Sequence, residues 1–437
     1  MNKAMWVGGL VLLVAFGYVA GSLVIGQQVN NEYRRYVALI AENYQGVASV
    51  SSTLEPSLLG SHNTLTLAFS DLPAEILQWA GGNTLSFDIK YRHQFLSSVS
   101  EMRIAPGALL EKIKAYQVDP SVAPLFIKSR YRYDIFQRRI EVTGDIFSDA
   151  IEFKSAGLDL KIGSSVGAFS VVANKADVQW LAEPSLARIV EAEFKVGELR
   201  FNQTLSTLNG DILTAEVVDR LVTSFSIDSI YIDDIKASTQ LDLNAFAVSI
   251  EKDSKDQRAF FNVDYAADSL IINSPAERFV VDNSVLEISL DVDSQALQNF
   301  VAAIAGQRLL NHRHFYDPKQ LIPLLDGITA KGVNVAIDRL AISANKETAQ
   351  GSVALKMAAF SLAQIPFDRL QALKKLTLSA RLSLPKKFLK TMPNFSPEQF
   401  SFLLAMGFVE EQETAYYLNL VVKDGVVKLN DNAIPIF

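Results

Sequence analysis

The run that comes nearest to a catalytic device is Gly163-Ser164-Ser165-Val166-Gly167, a literal GxSxG with His312 and His314 downstream. A nucleophile elbow needs a strand leading sharply into a helix, so that the serine is presented beside oxyanion-hole amides. Here Leu158 and Leu160 precede the motif and Ala168-Phe169-Ser170-Val171-Val172 comes after it, so both flanks read as strands. The motif is therefore a Gly/Ser-rich turn, and a serine hydrolase built on Ser165 ranks behind two other readings. His312-Arg313-His314 with Asp317 sets two imidazoles on one strand face, but Arg313 between them adds unfavourable charge. No third ligand stands at a metal-site spacing, and the segment reads as a polar loop connecting helices. Asp233 and Asp234 with Asp228 gather carboxylates without the glycine-bounded spacing of a calcium loop, and Ile230 and Ile232 mark them as a strand end with exposed acids. Lys128, Arg130, Arg132, Arg138 and Arg139, interleaved with Tyr131, Tyr133 and Phe136, form the one basic-aromatic cluster. On a strand Lys128, Arg130 and Arg132 share the wet face, where they are candidates to meet lipid-headgroup phosphates or an acidic partner.

Composition narrows the chemistry further. The 437 residues carry 41 Lys+Arg against 48 Asp+Glu, a formal charge of −7, with 49% hydrophobic and 20% charged. That excludes a disordered tail and a protein that coats nucleic acid. With no cysteine, disulfides, thiolate metal sites, iron–sulfur clusters and cysteine nucleophiles are excluded. Phosphate-binding glycine loops, zinc-protease motifs and kinase motifs are missing. The chain is expected to be non-enzymatic, with no cofactor.

The elements that position these residues begin with a membrane signal. No charged residue occurs from Ala4 to Asn31, and the apolar part, Met5 to Ile25, would extend about 30 Å as a helix, the thickness of a bilayer's hydrocarbon core. Ala20-Gly21-Ser22 could be cleaved as a signal, but the run is longer than a signal peptide's core, which favours an uncleaved anchor. Beyond it Val29, Tyr33, Val37, Ile40 and Tyr44 recur at helical spacing, so the helix continues as an amphipathic stalk expected to dock on the exported domain. No second apolar span occurs downstream. The rest of the chain is thus expected on one side of a bacterial inner membrane, in the periplasm.

From about residue 62 to 293 the pattern has period 2. Leu125, Ile127, Tyr131, Tyr133 and Ile135 alternate with the basic set above. Phe261, Val263 and Tyr265 alternate with Asn262 and Asp264, and Leu286, Ile288, Leu290 and Val292 with Glu287, Ser289 and Asp291. One-sided burial of this kind favours antiparallel sheet. Asn209-Gly210, Ser274-Pro275 and Lys252 to Lys255 read as turns. Helices return after Ser294, with the stripe Leu297, Phe300, Val301 and Ile304, again after Asp317-Pro318, and again after Ser396. There Pro397 takes the first helical position, Gln399 completes a capping box, and Phe395 and Phe400 form a staple. Gly407 ends that helix. Strands interleave at Val353, Leu355 and Met357 and at Leu376 to Leu384. An Asp424-Gly425 turn pairs Val422 with Val427 and Leu420 with Leu429. The expected fold is α+β, predominantly antiparallel β-sheet with a few helices, preceded by an N-terminal transmembrane helix. Its divisions are an anchor and stalk over 1–45, a β-rich region over 46–293 and a mixed region over 294–437, the last boundary soft.

The anchor, the stalk, Tyr44-Gln45-Gly46-Val47-Ala48-Ser49 beyond it, and the tail LLAMGFVEEQETAYYLNLVVKDGVVKLNDNAIPIF together resemble the YdgA-like family of bacterial cell-envelope proteins of uncharacterised function. The tail carries most of the likeness: a short helix reaching Met406-Gly407, an acidic stretch, and a hairpin closing on Leu-Asn. The resemblance implies an inner-membrane-anchored periplasmic protein without a known active site. The first functional expectation is a tethered β structure binding lipid or another hydrophobic envelope component on a sheet face. The second is a structural or assembly scaffold for another envelope protein, by strand addition at an open sheet edge. Nucleic acid is not an expected partner.

Overall fold

The computed structural model describes the chain apart from residues 1–2, 44–47, 58, 71–80, 118–120, 122, 138, 156, 209–211, 213–217, 276, 301–317, 362–368, 390–395 and 435–437. The side chains of residues 1–17 and of a few others also lie outside the description. Two compact units are present: Met1–Ser185 with Thr204–Val218, and Leu186–Gln203 with Asp219–Phe437. The expected boundary at Asp293 falls inside the second.

The first unit opens with a long helix, α1 (Lys3–Asn43), followed by β1 (Ala48–Ser57), β2 (Gly60–Phe69), β3 (Thr84–Gln94) and β4 (Ser97–Ile104). A short helix, α2 (Ala108–Lys114), leads to β5 (Leu125–Asp134), β6 (Arg139–Ser148), the hairpin β7 (Ile151–Ser155) and β8 (Leu158–Ile162), then β9 (Ser165–Val172) and β10 (Lys175–Ala182). Strands β1 to β6 form an antiparallel meander that β9 and β10 extend beyond β6. Helix α1 lies on one face of this meander. Its buried Ile25, Val29 and Tyr33 pack with Leu65, Ile89, Tyr91, Ile140 and Val142, and Val37 and Ile40 join at the rim. The stalk spacing thus marks the stripe that fills this unit's core, because residues three and four apart share one face of a helix. Among the described residues no helix is long and apolar enough to cross a membrane, and most of the charge-free run from Met5 to Ile25 falls where side chains are not described.

Next along the chain come β11 (Ser185–Ile189), β12 (Ala192–Val196) and β13 (Leu199–Ser206). The second unit continues with β14 (Arg220–Asp234), β15 (Thr239–Lys255), β16 (Arg258–Ala267), β17 (Ser269–Asn273), β18 (Arg278–Val281) and β19 (Asn283–Asp293). After it come α3 (Pro318–Thr329), β20 (Val333–Ala344), β21 (Glu347–Met357), α4 (Arg369–Lys374), β22 (Leu376–Pro385), α5 (Lys386–Leu389) and α6 (Pro397–Ala405). The tail holds β23 (Glu410–Glu411), β24 (Ala415–Lys423), β25 (Val426–Leu429) and β26 (Asn432–Ile434). Strands β14, β15, β16, β19, β20, β21, β22 and β24 pair side by side, each antiparallel to the next.

The fold is predominantly antiparallel β with a few helices. Val422 faces Val427 and Leu420 faces Leu429 across Asp424-Gly425, whose φ values of 53° and 81° give the left-handed pair that matches strand twist. Pro318 and Pro397 open their helices and Gly407 at φ 71° closes the last one. One detail differs from the sequence expectation. Lys252 to Lys255 is strand, and the chain turns at Asp256-Gln257, both at positive φ. The helix near residue 294 is capped by Asp293, whose Oδ1 accepts the Ala296 N–H at 2.9 Å. An aspartate reaching three residues ahead serves the same orphan amide a serine would. Asn209-Gly210, His312, His314, Asp317 and Phe395 lie outside the described residues.

Candidate functional site

Ser165 is a strand residue, not an elbow. It opens β9, is 8% exposed, and its Oγ shares a 2.7 Å hydrogen bond with Ser148 Oγ on the adjoining β6. Strand β8 precedes it and the chain runs on from it as strand, so nothing presents this hydroxyl to a substrate. Asp233 and Asp234 close β14: Asp233 accepts from Tyr231 and Gln240, and Asp234 Oδ1 accepts the Ala237 N–H that tightens the turn. Asp228 sits apart, exposed.

Lys128, Arg130 and Arg132 project from the face of β5 opposite α1, and all three are exposed. Each neighbouring strand answers them with acids. Lys128 stands between Glu101 and Asp145, and Arg132 is opposite Glu141. Glu101 is already engaged by Arg92 and Arg103, and Glu141 by Arg139, and among the described residues none of the three cations reaches a carboxylate within ion-pairing distance. Lys128 and Arg130 line an open concavity of about 370 Å³ with Val99, Thr143, Asp145 and Ala168. Arg138 lies outside the described residues, so the basic cluster reduces to one strand row set in a mixed-charge face.

Helix α1 rests on a seat that is partly polar. Ser22, Asn63 and Ser98 are completely buried, and His93 is 5% exposed. Asn30 Oδ1 accepts from Ser61 Oγ at 3.2 Å, and His93 Nδ1 lies 3.0 Å from Ser98 Oγ. His93 Nε2 and both amide atoms of Asn63 have no hydrogen-bond partner among the described residues. Burial holds the His93 imidazole below its usual pKa, and burial, reinforced by Tyr131, pushes the Tyr91 phenol well above its own. Glycines let the helix settle this low: a side-chain carbon on Gly21 would overlap the Phe95 ring, and one on Gly26 would lie 2.8 Å from the His93 ring. From sequence alone Gly17 and Gly21 read as ordinary membrane-helix glycines. The signal available for the seat is the alternation of Tyr91 and His93 with Lys90 and Arg92 in β3, which puts two large rings on the covered face.

The second unit presents an apolar sheet face. Across seven of its side-by-side strands, β15 to β24, one row runs Ile250–Val263–Ile288–Ile337–Val353–Ala380–Leu420. The next runs Phe261–Leu290–Val335–Leu355–Leu378–Val422. From β15 to β24 this row measures about 29 Å at roughly 4.8 Å per strand. Described side chains cover only its ends. Leu297 and Ile328 pack by Ala259, Val292 and Val333, and Phe388 packs by Ala344 and Ala349. Phe261, Leu290 and Val335 of the second row join the first of these clusters, and apart from Val422 the other residues named in the two rows are half-buried rather than enclosed. The opposite face is polar and holds an open concavity of about 670 Å³ at the β20 bulge, lined by Glu287, Asp338, Arg339, Arg381, Tyr417 and Asn419 among others. Arg258 ties this unit together, its guanidinium reaching Asp291 Oδ1 at 2.6 Å and the Gly332 carbonyl at 3.0 Å.

The family model described as "Bacterial protein of unknown function (DUF945)" matches residues 1–437. No curated protein and no solved structure matches the chain. The chain belongs to the DUF945 family.

Proposed function

We propose that this protein is a non-catalytic, membrane-anchored component of the bacterial envelope, with its bulk in the periplasm, and that it holds a lipid or comparable hydrophobic molecule on the apolar sheet face of its second unit. The observation that carries the reading is the half-buried state of Ile250, Val263, Ile288, Ile337 and Val353 in mid-sheet, where side chains of this kind are normally enclosed. The first unit argues by contrast, since there the equivalent apolar face is filled by α1. Helix α1, entering with a charge-free run from Met5, supplies the tether.

Native mass spectrometry of the full chain, released from membranes in detergent and exchanged until bulk lipid is gone, tests this. A retained hydrophobic molecule at fixed stoichiometry is expected, and Ile288→Trp, which fills the middle of the face, should expel it. A protein that retains nothing would remove the reading. A scaffold is the second reading, favoured by β1, which pairs with β2 and exposes most of its residues along the other edge. In-cell crosslinking from Ser51 to one protein partner would support it.

A further inference from the structure

In an antiparallel meander every second turn falls at the same end of the sheet. In the first unit the β1–β2, β3–β4 and β5–β6 turns share one end, and each carries large apolar side chains in the open: Leu59 is 46% exposed, Phe95 53%, Ile135 55% and Phe136 98%. The β5–β6 turn is built to hold Phe136 out, because Asp134 Oδ1 accepts the backbone N–H groups of Phe136 and Gln137 at 2.9 and 3.0 Å. The next turn at this end, Ala173-Asn174, has no such side chain of its own, and the exposed Leu208 follows Thr207, which is hydrogen-bonded to Asn174. At the other end the described turn residues include Gly81-Gly82-Asn83 and Gly107, and Phe147, Ile162 and Val166 are 43–45% exposed where β6 and β8 end and β9 begins. Three consecutive hairpins at one end thus each carry an exposed apolar tip.

The course of α1 relates those hairpins to the apolar helix. Gly21 lies against Phe95 at the tip of the β3–β4 turn, Gly26 against His93 one step inward, and the Tyr33 ring meets Tyr91 deeper still, at 6.4 Å between centroids. The helix thus leaves the sheet between the hairpin tips with its N-terminal half leading. The charge-free apolar run ends at Ile25, four residues past Gly21. At about 1.5 Å per residue, roughly 6 Å of that run lies alongside the tips, close to the roughly 5–7 Å that the headgroup layer adds on each side of the hydrocarbon core.

We propose that these three tips form a bilayer-contacting surface, with Leu59, Phe95, Ile135 and Phe136 in the interfacial layer around the emerging helix. This rests on the reading that α1 crosses the membrane. Arg132, exposed and two residues before the β5–β6 turn, faces the anionic headgroups at that depth. The surface serves to hold the first unit upright on its tether, since a helix with three flanking contacts cannot pivot freely.

Because the chain has no cysteine, one introduced thiol at a time can carry a nitroxide. The full chain with Phe136→Cys, Leu59→Cys, Gly107→Cys or Leu12→Cys is placed in phosphatidylethanolamine–phosphatidylglycerol vesicles, and collision with oxygen is compared with collision with a water-soluble nickel chelate. A side chain at Gly107 meets nothing within 4 Å, so that site is a benign aqueous reference. The expected oxygen-to-nickel ratio at Phe136 and Leu59 is several-fold above that at Gly107 and approaches that at Leu12. A lipid-like Leu12 position with Phe136 and Leu59 as aqueous as Gly107 would overturn the tip surface and leave the tether standing. An aqueous Leu12 position would sink the tether and, because the tip surface is set around the emerging helix, would overturn that surface with it.

Discussion

Replacing Val29 by Ala asks whether α1 is a core element of the first unit or merely a lead-in to it. Val29 is 1% exposed and sits among Ile25, Tyr33 and the sheet residues Leu65, Ile89, Ile140 and Val142. Two carbons are lost, about 1.6 kcal/mol at roughly 0.8 per buried methylene, and incomplete collapse of the space raises this to about 2.5. The better helix propensity of Ala returns about 0.5, leaving roughly 2 kcal/mol, or about a 30-fold shift in the opening equilibrium at roughly 1.4 kcal/mol per decade. Val24, on the outer side of the same helix and 43% exposed, is the control, expected to change stability by less than about 0.5 kcal/mol. Hydrogen exchange of the detergent-solubilised full chain reads the effect locally: the Ile89 and Val142 amides should exchange roughly 30-fold faster in Val29→Ala if the unit opens cooperatively, and the Val335 amide in the second unit should not respond. Equal, negligible changes for Val29→Ala and Val24→Ala would refute the placement of α1 in this core.

Other outcomes follow from single features. His93 is neutral when buried, its folded pKa depressed below the unfolded value of about 6.5, so the first unit keeps its full stability above that pH and loses it as pH falls from there toward the lowered value; melting scans at about pH 7.5 and pH 5 should show that loss, and His93→Gln should flatten it. Arg258→Ala strands the Asp291 carboxylate, whose pKa burial tends to raise but hydrogen bonds from Arg258 and Asn334 hold low, and should cost about 1–3 kcal/mol in urea unfolding of the second unit, only partly recovered by Arg258→Lys. Exchanging Asp256-Gln257, at φ 52° and 65°, for Asn-Gly should raise the second unit's melting temperature, by an amount corresponding to about 1 kcal/mol, because both positions demand left-handed backbone. A lower melting temperature would mean that the existing side chains contribute contacts beyond the turn.

Much of the architecture was legible because alternation is a local signal. The parity of Leu286, Ile288, Leu290 and Val292 directly sets which face is apolar, and the Asp424-Gly425 pair sets its register without reference to anything distant. Where the chemistry of a turn is not carried by glycine or asparagine, as at Asp256-Gln257, the sequence points to the wrong place, since the strand pairing of Lys252 to Lys255 with Arg258 to Phe261 overrides the polar run. The row Lys128, Arg130, Arg132 was legible as a wet face. The acids opposite it, Glu101, Asp145 and Glu141, were not, because they come from other strands. The seat of α1 was foreseeable as docking but not as a polar seat, for Ser61, Asn63 and His93 are buried only through long-range contact.

The intimacy of α1 with its sheet sets an order on how the chain can come together. Tyr33 is synthesised about a hundred residues before Ile140 and Val142, which complete its surroundings; at about 5–20 residues per second that is roughly 5–20 s during which the helix's apolar stripe has only part of its cover. The meander arrives hairpin by hairpin, each new strand pairing with the one before it, so the stripe is enclosed progressively rather than at once. Mistakes should therefore concentrate at the unfinished edge of the growing sheet, and slower supply of the β5–β6 hairpin would lengthen the interval in which a bystander chain can pair with β4.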